Sequence, residues 1–332
     1  MPKAEVRAIL DSRGFSYKIL DEKTQLLNIN TTNLAIEMIG ARRPAYTREC
    51  CTNIFSCDDG LEEILKHARE TNFERFIKPG ETFLVRVKRI GASSKHLGAS
   101  EVERKLGGVI FKELRTVRVD MEKPRRLFLG VLTDGTFTFG LKLAGPPPKQ
   151  FHFRTPRRKP FFHPSSLQPK LARCMVNLSR AKEGKVVFDP FCGTGTILIE
   201  AELMGFETVG CDLMKKMIKG SRLNLNHYNL RKYHLMVSDA LNLPFNRMDV
   251  MVTDPPYGRS ATTKGLSTFS IIRDSLSQAS NLPSPTANVC IASPRSIDVC
   301  EIGEKYGFKV LEKHFVYVHR SLTREIAVLT EV

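Results

Sequence analysis

The sequence predicts an α/β protein in two main parts. An α+β module leads, across a Pro-rich basic stretch, into a doubly wound parallel sheet that ends in an antiparallel hairpin. Three observations carry this. After residue 160, short apolar strand candidates alternate with helical stretches, the pattern of parallel βαβ units. Gly145–Pro148 (GPPP) can continue neither a helix nor a central strand, so an element must end there. The last two strand candidates lie too close together for a helical crossover, which leaves a hairpin. A length of 332 residues accommodates about two cores.

Taken in order, residues 1–50 read as a small part of their own, with strands at Tyr17–Leu20 and Leu26–Asn30 between short helical candidates. Residues 51–145 form the next part. It holds a helix at Gly60–Asn72, a strand at Thr82–Ile90 and a helix at Ser100–Leu114. Strands at Leu127–Leu132 and Thr136–Leu143 follow, joined by Asp134–Gly135, a strong hairpin turn. Residues 146–163 are a linker, including Lys149–His163 (KQFHFRTPRRKPFFH). Either its charges keep a tether solvated, or it is a nucleic-acid track with Arg157, Arg158 and Lys159 on phosphates and phenylalanines stacking on bases.

Residues 164–332 carry the parallel sheet. Strand Val186–Phe188 precedes helix Thr196–Leu203, and strand Thr208–Cys211 precedes helix Lys215–His227. Leu235–Val237, Asp249–Thr253 and Ala287–Ala292 continue the strands, the last before another helix. Val310–His319 and Glu325–Thr330 make the closing hairpin.

Charge narrows the partners. Lys+Arg total 51 against 35 Asp+Glu, a net +16. Residues 1–160 hold 30 basic and 19 acidic side chains, and residues 161–332 hold 21 and 16, so most of the surplus lies in the first half. That suits a first half that grips a polyanion, nucleic acid before membrane, because no basic amphipathic helix stands out. No targeting segment opens the chain and no apolar run approaches the ~18 residues of a spanning helix, so a cytoplasmic, membrane-free protein is expected. The eight cysteines form no C-x-x-C pair and no zinc-finger set. Even the Cys50, Cys51, Cys57 cluster reads as reduced thiols, and no metal is expected.

Two motifs carry chemistry. In the first, V-V-F-D-P-F-C-G-T-G-T at 186–196, a buried strand ends at Asp189 and a Gly-rich turn opens a helix. Gly193 and Gly195 let backbone approach a ligand closely. A dinucleotide fingerprint would need its third glycine where Leu198 stands, so a cofactor with a ribose but no pyrophosphate remains. Asp212 ends the next strand, where an acid meets ribose hydroxyls, and Asp239 follows the third at the same edge. The second motif, T-D-P-P-Y-G-R at 253–259, follows the fourth strand. Pro255 and Pro256 remove two N–H donors and leave carbonyls, Asp254 adds a carboxylate and Tyr257 a flat ring. Together they suit an exocyclic amine on a planar base, gripped by carboxylate and carbonyl with the ring stacked on the base.

D-P-F-C-G-T-G-T and D-P-P-Y-G resemble the cofactor and catalytic motifs of S-adenosylmethionine-dependent amino-methyltransferases, and Phe162-His-Pro-Ser165 resembles their upstream motif. Phe83–Ile90, the helix with Glu101 and Gly107–Gly108, and Val119–Pro124 resemble a THUMP domain, found in tRNA-modifying enzymes. The combination is most similar to the archaeal tRNA guanine(10) N2-methyltransferases. The resemblance implies a ferredoxin-like start, a THUMP module and a Rossmann-like class I methyltransferase sheet.

It further implies that S-adenosyl-L-methionine is the cofactor and tRNA the partner, with an extruded guanosine methylated once or twice at N2. His163, Pro164, Ser165, Asp189 and the loop Phe191, Cys192, Gly193, Thr194, Gly195 and Thr196 would hold the methionine end. Asp212 and Leu213 would hold the ribose, and Asp239 and Ala240 the adenine. Asp254, Pro255, Pro256 and Tyr257 would position the amine. Arg86, Lys88, Arg89, Arg157, Arg158 and Lys159 are the expected RNA contacts. Some members of the family work with a small zinc-binding activator subunit, a further candidate partner. Alternatives are another tRNA guanosine such as position 6, DNA adenine N6, or a non-catalytic RNA-binding module.

Overall fold

The computed structural model describes residues 1–40, 43–147, 149–243, 247–257, 266–282 and 288–331. Pro148 of the proline run, Gly258 and Arg259 of the second motif, and Ala287 at the head of an expected strand lie outside the described residues. In chain order the elements begin α1 (Pro2–Ser12), β1 (Tyr17–Lys23), β2 (Leu26–Thr31), α2 (Asn33–Gly40) and β3 (Cys50–Asp58). Then come α3 (Leu61–Glu70), β4 (Thr82–Arg89), α4 (Ala99–Leu114), β5 (Arg118–Val119), β6 (Arg126–Thr133) and β7 (Thr136–Ala144). After residue 160 follow α5 (Pro169–Leu178), β8 (Val186–Asp189), α6 (Thr196–Glu202), β9 (Glu207–Asp212), α7 (Lys215–His227) and β10 (Tyr233–Val237). The chain finishes with β11 (Val250–Thr253), α8 (Thr268–Ser280), β12 (Asn288–Pro294), α9 (Val299–Lys305), β13 (Phe308–His319) and β14 (Leu322–Glu331).

Two compact units emerge, one of Met1–Phe15, Arg42–Tyr46 and Pro147–Val332, the other of Ser16–Ala41 and Thr47–Pro146. The units divide after residues 15, 41, 46 and 146, and not at 163. Helix α1 belongs with the larger unit because Ala4 and Ala8 pack into the core with Leu171 and Met175 of α5. Its Glu5 is buried there too, accepting from the Ala45 and Tyr46 amides at 2.7 and 2.9 Å and from Asn177 at 2.8 Å. The residues expected to be a ferredoxin-like start contain, among those described, α1, α2, the two-stranded β1–β2 hairpin and the first residue of β3.

In the smaller unit the strand order is β3-β7-β6-β4-β5. Its core is phenylalanine-rich: Phe73, Phe83, Phe128, Phe137 and Phe139 are fully buried beneath Ile64, Leu65, Val102 and Leu106 of α3 and α4. Asp134 and Gly135 both take positive φ (51° and 73°), the pairing that a tight hairpin turn matching strand twist requires. Strand β3 was not foreseen. Its Cys-Cys-Thr-Asn-Ile-Phe-Ser-Cys run has no clean apolar alternation, and its strand state comes from pairing with β7.

The larger unit has the order β10-β9-β8-β11-β12-β14-β13, with β8 to β12 parallel and β14 antiparallel to both neighbours. Successive residues feed opposite cores. Val187, Val252, Cys290, Ile326 and Val328 pack on one face, while Phe188, Met251, Val289, Ile291, Ala327 and Leu329 pack on the other. Helix-covered faces on both sides explain the nearly uninterrupted apolar strands. The order reverses between β8 and β11, which makes their carboxyl ends the switch point where open sheets bind ligands. Among the described residues no helix is long and apolar enough to cross a membrane.

Candidate active site

A cavity of about 520 Å³ opens at that switch point. Its lining includes Asp189 at the end of β8, Asp212 at the end of β9, Asp239 after β10 and Asp254 after β11. His163, Pro164, Ser165, Phe191, Cys192, Gly193, Thr194, Thr196, Leu213, Ala240, Pro255, Pro256 and Tyr257 also line it. Gly195 sits behind the wall. It holds φ +77°, and a Cβ there would lie 2.3 Å from Ser221 Oγ of α7, so the glycine permits close approach of α7 to the loop.

Each acid is held differently. Asp189 is nearly sealed; its Oδ1 accepts from Thr253 Oγ1 at 2.7 Å and from the Phe191 amide at 3.1 Å. Burial pushes its carboxyl up to about 7, with the neighbouring Asp254 and Asp212 adding repulsion. Asp212 accepts from the Gly193 amide at 3.1 Å and the Met214 amide at 2.8 Å, and burial raises its pKa as well. Asp239 accepts from the Leu241 amide at 3.1 Å. Several carboxylates converging on one cavity repel one another unless a cation or hydrogen-bond donors occupy it.

Asp254 sits in a closed triangle. One oxygen accepts from the Tyr257 hydroxyl, the other from Arg324 Nη2 at 3.2 Å, while Arg324 Nε donates to the Tyr257 oxygen at 3.1 Å. The guanidinium also lies 5.5 Å from the Tyr257 ring centroid. Burial raises the pKa of Asp254, and Arg324 and Tyr257 pull it back. Sequence reasoning missed Arg324, which lies 70 residues away on β14 and belongs to neither motif.

Beneath the loop, Thr194 Oγ1 donates to Ser166 Oγ at 3.0 Å and Lys159 Nζ to Thr196 Oγ1 at 2.5 Å. Lys159, expected on RNA, is only 5% exposed, and burial pulls its ammonium down to about 8. The surrounding linker is likewise packed down. Arg154 and Arg173 both pair with the fully buried Glu200 at 2.7 Å, and Asn224 binds both backbone groups of Phe161 at 2.9 Å. Residues 149–163 are therefore part of the catalytic unit, and the tether reading is corrected. Arg157 and Arg158 stay exposed. Arg86 pairs with Glu103 and Lys88 with Glu49, at 3.3 and 3.2 Å, and Arg89 donates to the Leu97 carbonyl. Those three cations are thus already engaged within the smaller unit.

Cys50, Cys51 and Cys57 lie on β3, where burial pushes their thiols up to about 11, 12 and 11.

The cavity suits a ligand that is cationic and bears ribose hydroxyls. Gly193, at φ +52°, has nothing within 3.8 Å of where a Cβ would stand, which leaves the loop backbone accessible. Sulfonium and ammonium groups complement the acids, so the residues present fit S-adenosylmethionine. Fold and site together define a class I, S-adenosylmethionine-dependent methyltransferase. Residues 156–326 match the family described as RMKL-like, methyltransferase domain, and residues 59–141 match the THUMP domain. A tRNA (guanine(10)-N2)-dimethyltransferase of Methanothermobacter thermautotrophicus is 35% identical over 100% of this chain and 96% of its own. That of Pyrococcus abyssi is 32% identical over 98% and 94%. The chain belongs to this tRNA (guanine(10)-N2)-dimethyltransferase family. Among solved structures, TrmN from Thermus thermophilus shares the fold, with a TM-score of 0.56 at 19% identity, covering 100% of this chain and 96% of that one.

Proposed function

We propose that the protein methylates the exocyclic N2 of guanosine 10 in tRNA, once or twice, using S-adenosylmethionine. The observation that carries this is the half-buried Asp254 carboxylate, at the switch point and in the same cavity as the glycine loop. The relatives' shared name supplies the base and position. Asp189 and the Phe191–Thr196 loop, with His163, Pro164 and Ser165, would hold the methionine end of the cofactor, Asp212 and Leu213 the ribose, and Asp239 and Ala240 the adenine. When bound, the cofactor supplies an electrophilic methyl group.

The chain's own residues supply orientation and charge. Asp254 accepts an N–H of the amine, which aims the nitrogen lone pair out of the base plane. Pro255 and Pro256 have no N–H, so this segment offers the amine only acceptors. Tyr257 must release its hydrogen bond to Asp254 before it can stack on a base. As nitrogen gains positive charge, Asp254 stabilises it and can take the departing proton. A buried guanine amine is reached only by extrusion from the stack, and the basic surplus of the first half favours a grip on RNA backbone. This reading puts the protein in the cytoplasm, with tRNA.

The test combines purified protein, unmodified tRNA transcript and labelled cofactor, followed by nucleoside analysis and mapping. N2-methylated guanosine at position 10 is expected. Label at position 6, in DNA adenine, or nowhere replaces the reading. Activity of the purified chain alone makes a zinc-binding activator subunit dispensable; activity restored only by cell extract supports one.

A further inference from the structure

Strand β13 presents an outer face that the cofactor site does not use. It is the edge of the seven-stranded sheet and pairs only with β14 among the described strands. Between its two register shifts, at Val310/Glu312 and Tyr317/His319, the exposed positions on one face are Lys313, Phe315 and Tyr317, a cation followed by two aromatic groups. Phe315 is 51% exposed and Tyr317 72%. Arg295 lays its guanidinium 5.0 Å from the Phe315 ring centroid, and Arg320 is exposed in the turn to β14. Lys313 is engaged with Asp298 and Glu325 at 3.0 and 3.3 Å, which leaves the aromatic end of the face as its distinctive part.

That end meets the cavity. Val318 and His319 line it, together with Leu322 and Arg324 across the turn. The pairing register shifts between Tyr317 and His319, so β13 carries an extra residue there. Such a bulge bends an edge strand and re-aims its side chains beside a site. Two exposed aromatic rings flanked by arginines, with Tyr317 next in the chain to the cavity-lining Val318, are the combination that holds unpaired nucleotides.

We propose that this rim seats the RNA strand next to the extruded guanosine, with Tyr317 and Phe315 stacking on bases and Arg295 and Arg320 meeting phosphates. The proposal rests on the tRNA reading given above. Extruding one base leaves its neighbours with an uncovered face, and an aromatic ring at the mouth restores part of the lost stacking. The flanking Arg295 and Arg320 favour a polyanion over an apolar protein partner.

Steady-state methylation of tRNA transcript by the full chain tests it. Tyr317→Ala should raise KM for tRNA about 5- to 100-fold, while Tyr317→Phe, which keeps the ring, should stay within about 2-fold of wild type. KM for S-adenosylmethionine should be unchanged in both. Arg320→Gln should flatten the salt dependence of tRNA affinity by about one charge. An unchanged KM in Tyr317→Ala overturns the proposal, as does a Tyr317→Phe enzyme equally impaired. Light scattering that finds a wild-type dimer and a monomeric Tyr317→Ala variant, with tRNA KM unchanged, assigns the face to a second copy and also overturns it. Wild-type protein that methylates no tRNA overturns the underlying reading and this one together. Active wild type with an indifferent Tyr317→Ala overturns this one alone.

Discussion

Arg324→Met removes one cation and keeps an apolar side chain of comparable length. Asp254 then loses a charged hydrogen bond at 3.2 Å, and the Tyr257 hydroxyl a donor at 3.1 Å. At an effective dielectric near 20, opposite charges at that distance attract by about 5 kcal/mol, a ceiling here because both side chains keep some solvent contact. A partnering cation at such range ordinarily depresses a carboxyl pKa by about 1–3. Burial already pushes the Asp254 carboxyl up against the pull of Arg324 and the Tyr257 hydroxyl, and losing Arg324 pushes it higher. An acid with a higher pKa needs a higher pH to ionise. If the carboxylate is the working form, the acid limb of kcat/KM should move up by about 1–3 pH units while the alkaline plateau is largely kept. Arg324→Lys, which restores the charge, should bring the limb back towards wild type. The assay is tRNA methylation from pH 5 to 9 with both substrates below saturation, to follow kcat/KM. A uniform drop with the limb unmoved would refute the argument and leave Arg324 a packing residue.

Three further outcomes follow from geometry already described. Arg157→Gln with Arg158→Gln should reduce the slope of log tRNA affinity against log salt by about two charges, whereas Lys159→Met should leave it unchanged because that ammonium is buried; filter binding across a salt series separates them. Gly195→Ala should lower Tm, at about 1–2 kcal/mol for left-handed backbone plus about 1–3 for the clash, and Ser221→Ala in the same chain should recover part of it. Asp189 binds a proton in the folded chain between its unfolded pKa near 3.8 and its folded value of about 7, so its contribution to stability is present below that window and lost as pH rises through it. Asp189→Asn should therefore raise Tm relative to wild type at pH 8 and not at pH 4, and equal melting curves at pH 8 would dismiss the raised value.

The parts of this molecule legible in sequence are those constrained over a few residues. Helix α7 is read to the residue, and Asp189, Asp212 and Asp254 are visible because a strand must end and turn beside each. The hairpin β13–β14 follows from its short connection alone. What escaped depends on distant partners. Arg324 looks like any basic strand residue until β14 is laid against β12, and Glu200 looks solvated until Arg154 and Arg173 close on it. Lys159 was misread for the same reason, since a basic run does not tell which cation folds inward. Helix α8 carries a readable sign, Ser267 capping the Ser270 amide at 3.0 Å, just beyond the second motif.

Helix α1 makes the smaller unit an insertion within the larger one. During synthesis that helix emerges before α5, whose surface it covers and which appears only after about 160 further residues, roughly 10–30 s later at ordinary ribosomal rates. Meanwhile the interrupting unit has its own phenylalanine core on which to condense. The catalytic half is consequently not a fragment to be cut out at residue 147. An excised version would lack α1 and leave Asn177 without the buried carboxylate of Glu5. Shortening this enzyme calls for keeping α1 and residues 43–46, which bind Glu5, with the catalytic part.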